Sequence, residues 1–182
     1  DVRTARSRLM SQIQKPVYCY RAPSFSITKS TLWALDILAE EGFQVDSSIF
    51  PVRHDLYGIP NAERFPHCRN NLIEFPPTTI RMAKNNFGVA GGGYLRLLPY
   101  RFIRWAIRQV NEKERQPAMV YFHPWEIDPG QPRVAAPLRS RVRHYTNLGG
   151  MKKKIERLLK DFQFSTVSDV CKTLPQISSF MP

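Results

Sequence analysis

The stretch VYCYRAPSFSITKSTLWALDILAEEGFQVDSS, Val17–Ser48, decides the fold class. It opens with the β-prone run Val17–Tyr20, directly after Pro16. It turns at Arg21-Ala22-Pro23, because the proline ring pushes Ala22 out of the helical region into an extended conformation. Leu32–Glu41 carries apolar residues at helical spacing, is entered through Thr28 or Ser30, and stops at Gly42. Phe43–Ser48 then reads as a second strand. Strand, loop, helix, strand is the order of a parallel α/β unit.

Upstream, Asp1–Ile13 reads as the body of a helix, with Val2, Ala5, Leu9 and Ile13 at helical spacing. A helix without a visible start leads us to expect an upstream region, so the lack of a targeting signal carries little weight. Downstream, 50–71 is loop-like, broken by Pro51, Gly58, Pro60 and Pro66. Long loops in compact domains are usually functional or disordered. Phe50, Tyr57 and Phe65 favour an ordered wall here. Leu72–Phe75, Thr78–Met82 and Phe87–Ala90 are short strand candidates. Gly91-Gly92-Gly93 lacks the spacing of a phosphate-binding loop and reads as a tight bend.

Pro99 opens a helix that runs to about Glu114, with Trp105 expected to pack against the body of the fold. Ala118–Phe122 reads as a buried strand running into His123-Pro124-Trp125-Glu126. Met151–Phe162 reads as a final helix showing Lys152–Lys154 outward. No internal repeat is visible. The reading is a single domain over 1–182, truncated on its N-terminal side.

Composition agrees with a folded domain: 182 residues, 42% hydrophobic, 12% aromatic and 23% charged. No apolar run reaches the roughly 18 residues that span a bilayer. Cys19, Cys68 and Cys171 are odd in number and far apart, which suits free thiols in a reducing, cytoplasmic compartment. The net charge of +12 is uneven. Between Gln131 and Lys160 all the charges are Lys or Arg except Glu156, with Arg139, Arg141, Arg143 and Lys152–Lys154 at the centre. Such a stretch can meet nucleic acid, anionic lipid headgroups or an acidic polymer, or can simply be a solvated face.

Three polar clusters follow strand candidates: Arg21-Ala22-Pro23, Asp46-Ser47-Ser48 and His123-Pro124. In parallel α/β folds the carboxyl ends of strands share one rim, where catalytic groups collect. Arg, Asp and His gathered there can orient and transfer a proton. Spacing alone does not separate this from a structural His and a capping Asp.

Five segments in order carry more: Tyr20-Arg21-Ala22-Pro23-Ser24-Phe25-Ser26-Ile27, Asp46-Ser47-Ser48-Ile49-Phe50-Pro51, His54-Asp55-Leu56-Tyr57-Gly58-Ile59-Pro60, Ala90-Gly91-Gly92-Gly93-Tyr94 and His123-Pro124-Trp125-Glu126-Ile127-Asp128-Pro129. Together they resemble the NodB-type polysaccharide deacetylases of carbohydrate esterase family four, in the subgroup associated with exosortase and exopolysaccharide loci. The resemblance runs from about Asp1 to Val170. Cys19 departs from it, standing where a Gly is expected.

The resemblance implies the C-terminal part of a distorted (β/α) barrel of seven strands and a hydrolase that removes N-acetyl groups from a polysaccharide or its precursor. It also implies a divalent metal, usually zinc, whose Asp and His ligands and neighbouring base Asp lie in earlier motifs outside this chain. His54, His67 and His144 do not reproduce their spacing, so no metal ligand is assigned here. The resemblance makes His123 the general acid that protonates the leaving amine and Asp46 its tether. Arg21 would hold the base Asp through a charge-assisted hydrogen bond. The backbone N–H of Ser24 would be the oxyanion donor.

Tyr121 would line the acetyl pocket, and Trp125, Tyr57 and His54 are the further candidates for glycan contact. For Trp125 and Tyr57, ordinary packing competes with stacking on sugar faces. A catalytically inactive carbohydrate-binding relative is the alternative, though Arg21, Asp46 and His123 all match. A basic protein of the membrane surface leaves the five motifs unexplained. Nucleic acid is not expected, because no RNA- or DNA-binding motif is present.

Overall fold

The computed structural model describes residues 1–69, 71–89 and 91–180. Ala90 of the Gly-rich motif and the side chains of Arg139 and Arg143 lie outside the described residues. The elements are, in order, α1 Val2–Ile13, β1 Cys19–Tyr20, α2 Ala34–Glu40, β2 Val45–Asp46, β3 His67–Arg69, β4 Leu72–Glu74, β5 Thr79–Met82, β6 Asn85–Gly88, α3 Gly92–Leu97, α4 Tyr100–Arg108, α5 Leu138–Tyr145, α6 Leu148–Asp161 and α7 Val167–Thr173. This is a mixed α/β architecture of helices and small sheets, with no closed barrel among the described residues. The chain gathers into two compact units, Asp1–Pro76 with Ser165–Pro182, and Pro77–Phe164.

The first unit holds a four-stranded sheet in the order β1-β2-β4-β3. β1, β2 and β4 are parallel, and β3 returns antiparallel beside β4. The parallel unit expected over Val17–Ser48 is therefore present, with strands shortened to their paired cores. Its helix starts late: Lys29–Thr31 forms a 3₁₀ turn, fixed where Thr28 N–H donates to Thr31 Oγ1 at 2.8 Å. α2 then buries Leu35 and Leu38 against Ala22, Ile27, Phe43, Ile49, Ile59 and Leu72. Each fully buried aliphatic of this kind contributes about 1.5–3 kcal/mol.

α1 uses only part of the apolar spacing seen in its sequence: Val2 packs against the first unit's core, while Leu9 and Ile13 remain about half exposed. Polar contacts hold it as well. Arg3 pairs with Glu41 at 2.6 Å, and Arg6 donates to the carbonyls of Val17 and Glu41.

The loop after Phe50 is ordered. Ile59 N–H donates to Phe50 O at 2.9 Å, and Gly58 (φ 92) is needed there because a Cβ would lie 2.4 Å from Val52 O.

The second unit holds the β5–β6 hairpin and a helical layer in which Leu95, Tyr100, Ile103, Ile107, Met151 and Leu158 form one core. The helix expected from Pro99 to Glu114 is regular only to Arg108 and finishes in a π-turn over Gln109–Lys113. Its buried stripe is Ile103, Ala106, Ile107 and Val110, and Trp105 lies off that stripe at 52% exposed, not packed as expected. The expected strand over Ala118–Phe122 contracts to one parallel bridge, Gly91↔Tyr121.

Lys154 also departs from expectation. It does not point outward with Lys152 and Lys153 but is buried, donating to the carbonyls of Leu95, Arg96 and Leu98 at 2.7–2.8 Å. Those are orphan carbonyls at the end of α3, where a cation is favoured. Burial and the nearby Arg96 hold the ammonium below its ordinary pKa.

Candidate active site

β1, β2 and β4 end on one rung, with Tyr20 opposite Asp46 and Asp46 opposite Glu74. Parallel strands ending together place whatever follows them side by side, which is how the chain brings Arg21, Asp46 and Glu74 together. Asp46 is fully buried and is held by its own turn: Ser48 N–H donates to Oδ2 at 2.9 Å and Ser48 Oγ to Oδ1 at 2.6 Å. Ser48 Oγ in turn accepts Ala22 N–H at 2.7 Å, tying the turn after β1 to the turn after β2.

Glu74 is the neighbour that the sequence reading missed. It too is buried, and it accepts Ile49 N–H at 3.1 Å. Burial and the adjacent Asp46 push its carboxyl well above the usual range. Two carboxyls on one dry rung thus favour the protonated form of Glu74 beside Asp46. The sequence signal was an acid flanked by apolar residues, Leu72-Ile73-Glu74-Phe75.

Arg21 lies at the same end. Its Nε donates to Ser47 O at 3.0 Å and its Nη2 to Ser47 Oγ at 2.8 Å, with the guanidinium 5.5 Å from the Phe25 ring centre. Ser24 follows in the left-handed region (φ 56, ψ 22), and Phe25 has φ 52. Two successive non-glycine residues there are strained, an arrangement that concentrates at functional turns. Ser24 is exposed and Phe25 buried, so the turn stands at the surface over an aromatic anchor.

In the same unit His54 stacks on Tyr57 at 3.8 Å, and Tyr57 stacks on Phe50 at 6.0 Å. His54 Nδ1 accepts Leu56 N–H at 3.1 Å and lies 3.0 Å from Asp55 Oδ1.

The other candidates belong to the second unit. The Tyr121 ring lies on the glycine bend, where a Cβ on Gly91 would come within 1.8 Å of it. This close approach is the physical reason for glycine at position 91.

His123 heads a short turn over Pro124–Ile127, with its side chain 53% exposed. Glu126 closes the turn: its Oε2 accepts His123 N–H at 2.9 Å and lies 3.2 Å from Nδ1 of the ring. Glu126 is fully buried, and its Oε1 receives Arg96 Nη1 at 2.7 Å, itself only 2% exposed. Trp125 stacks on His144 at 4.1 Å and carries the Arg96 guanidinium 5.0 Å from its ring centre. Neither Glu126 nor Arg96 was singled out from the sequence, although His-x-x-Glu has the spacing of a capping box.

Among the described residues no three His, Cys, Asp or Glu side chains are grouped so as to hold a metal ion. Each histidine has its own separate partner: Leu56 for His54, Phe65 O for His67, Glu126 for His123 and Gln131 for His144. A hydrolytic zinc needs three protein ligands and an open position, so these residues do not fit one.

Residues 47–172, more than half of the chain, match a family model described as Domain of unknown function (DUF3473). The chain belongs to this family. The DUF3473 segment includes Glu74, Arg96, Tyr121, His123, Trp125 and Glu126, together with the His54–Tyr57 loop, and begins immediately after Asp46. Comparison with curated proteins and with solved structures finds no match.

Proposed function

We propose that this DUF3473 chain supplies the acid and orienting half of a NodB-type carbohydrate deacetylase, which hydrolyses N-acetyl groups on a polysaccharide or its precursor. DUF3473 is associated with polysaccharide deacetylase-like proteins, and the five motifs keep their order. The observation that carries the reading is His123: a half-exposed imidazole at the head of a turn, pinned from beneath by a buried carboxylate. Such a group can give a proton to a leaving amine and is held in place to do so. In this reading the Ser24 N–H stabilises charge on the acetyl oxygen and Arg21 orients the base; Asp46, given the tether's part by the resemblance, is held by Ser48, and the carboxylate at His123 Nδ1 is Glu126. Tyr57 and His54 in the first unit, and Tyr121 and Trp125 in the second, are the candidates for glycan contact.

A divalent metal, zinc in the family resembled, would be held by residues outside this chain and would activate the water. The test uses the full-length protein and an N-acetylglucosamine oligomer as substrate. His123→Ala is expected to lower kcat about 10²–10⁴-fold with little change in KM, because proton donation operates only in the transition state. A loss under about threefold would remove His123 from the mechanism.

A second surface supports association with an anionic membrane. Val134, Leu138 and Val142 are 69%, 74% and 55% exposed, and Leu138 and Val142 line a 260 Å³ cavity with Arg133 and Arg141. Apolar side chains rimmed by cations suit the boundary between headgroups and acyl chains. No helix among the described residues is long and apolar enough to cross a membrane. Leu138→Asp with Val142→Asp is expected to reduce co-sedimentation with phosphatidylglycerol vesicles, and binding that is unchanged would leave only a solvated basic face.

A further inference from the structure

We propose that Glu126, backed by Arg96, is a positioning residue that fixes the ring and tautomer of His123. Its catalytic meaning rests on the deacetylase reading, but its geometry does not. One carboxylate does three things at once: Oε1 takes the Arg96 guanidinium at 2.7 Å, while Oε2 faces both the His123 backbone N–H at 2.9 Å and ring Nδ1 at 3.2 Å. The turn is a capping box whose other half has the Glu126 N–H facing the His123 side chain, but such a box needs no buried carboxylate, and an exposed glutamate suffices for it.

Burying the carboxylate completely, with a counter-ion of its own, goes further. The guanidinium fixes the plane of the carboxylate, and the second oxygen is left aimed at the imidazole. A carboxylate facing Nδ1 favours the tautomer with hydrogen on that nitrogen. Nε2 is then the ring nitrogen that does not face Glu126, on a side chain 53% exposed. During transfer the Nε2–H bond breaks as the N–H bond of the departing amine forms. The Nδ1 proton stays on the ring, and Glu126 neither gains nor loses one.

The measurement is ¹⁵N NMR of the His123 ring in the neutral state. The unmodified chain is expected to hold hydrogen mainly on Nδ1, and Glu126→Gln to raise the share on Nε2. Removing one charge of a buried pair can unfold a protein. The Arg96→Met, Glu126→Gln double variant therefore carries the same measurement without an orphaned guanidinium. In the full-length protein Glu126→Gln is expected to cut kcat about tenfold to a hundredfold, with KM within about threefold. An unchanged tautomer in a folded variant overturns the clamp, and so does a rise in KM with kcat intact. If the unmodified full-length protein releases no acetate, the catalytic half falls with the deacetylase reading, and the tautomer measurement still decides the clamp.

Discussion

The rung of Asp46 and Glu74 and the turn of Glu126 bury carboxyl groups almost equally well but neutralise them differently. On the rung the two acids sit side by side, and burial together with Asp46 drives the Glu74 carboxyl up until it keeps a proton. In the turn, Glu126 meets Arg96 and forms a buried ion pair. The first solution keeps one acid protonated beside the other, so its state depends on pH. The second keeps full charge on both partners and depends on neither partner being lost. The difference shows that a buried acid has to be read together with its neighbour before its role can be assigned.

The largest expected effect comes from breaking the ion pair. Arg96→Met should cost about 3–5 kcal/mol in urea unfolding, because Glu126 is left charged without a partner. A cost below about 1 kcal/mol would mean that water or another cation already compensates Glu126, and the contrast between the two regions would dissolve.

Ser48→Ala should cost less, about 1–3 kcal/mol, since it removes the hydroxyl that donates to Asp46 and accepts Ala22 N–H. A neutral result would place those groups in contact with water.

The smallest effect and the sharpest in shape belongs to Glu74→Gln. As pH rises through the ordinary carboxyl range, the unfolded chain releases this proton while the folded chain retains it, so wild-type stability from this site falls until the raised folded value is passed. Glutamine has no proton to lose. The variant should therefore gain on wild type as pH rises above the ordinary carboxyl range. Parallel stability curves would show Glu74 ionised in the fold.

Much of this arrangement was legible in the residues. The strand, helix, strand order of Val17–Ser48 follows from a proline, a glycine and a helical apolar stripe, all local signals. The polar residues Arg21 and Asp46 do lie at the same ends of the paired parallel strands β1 and β2. What could not be read was pairing between distant residues, such as Asp46 with Glu74 or Glu126 with Arg96. Two misreadings have a simple cause in helix geometry. Lys154 lies three residues after Met151 and four before Leu158, which puts it on the buried face of α6, and its charge obscured its position. Trp105 lies one residue to the side of the stripe formed by Ile103, Ala106 and Val110, and its size suggested burial that its angle forbids. α1 shows the reverse, a good apolar spacing of which Leu9 and Ile13 are left about half exposed while arginine contacts help fix the helix.

The threefold grip of backbone carbonyls on Lys154 also gives neighbouring identical side chains unlike chemistry. Lys152 and Lys153 stand in solvent and offer their amines to any acylating reagent, whereas Lys154 must first pull free of Leu95, Arg96 and Leu98. Its reaction rate with such a reagent, read against the two beside it, is therefore a built-in clock for how often the α3–α6 contact opens.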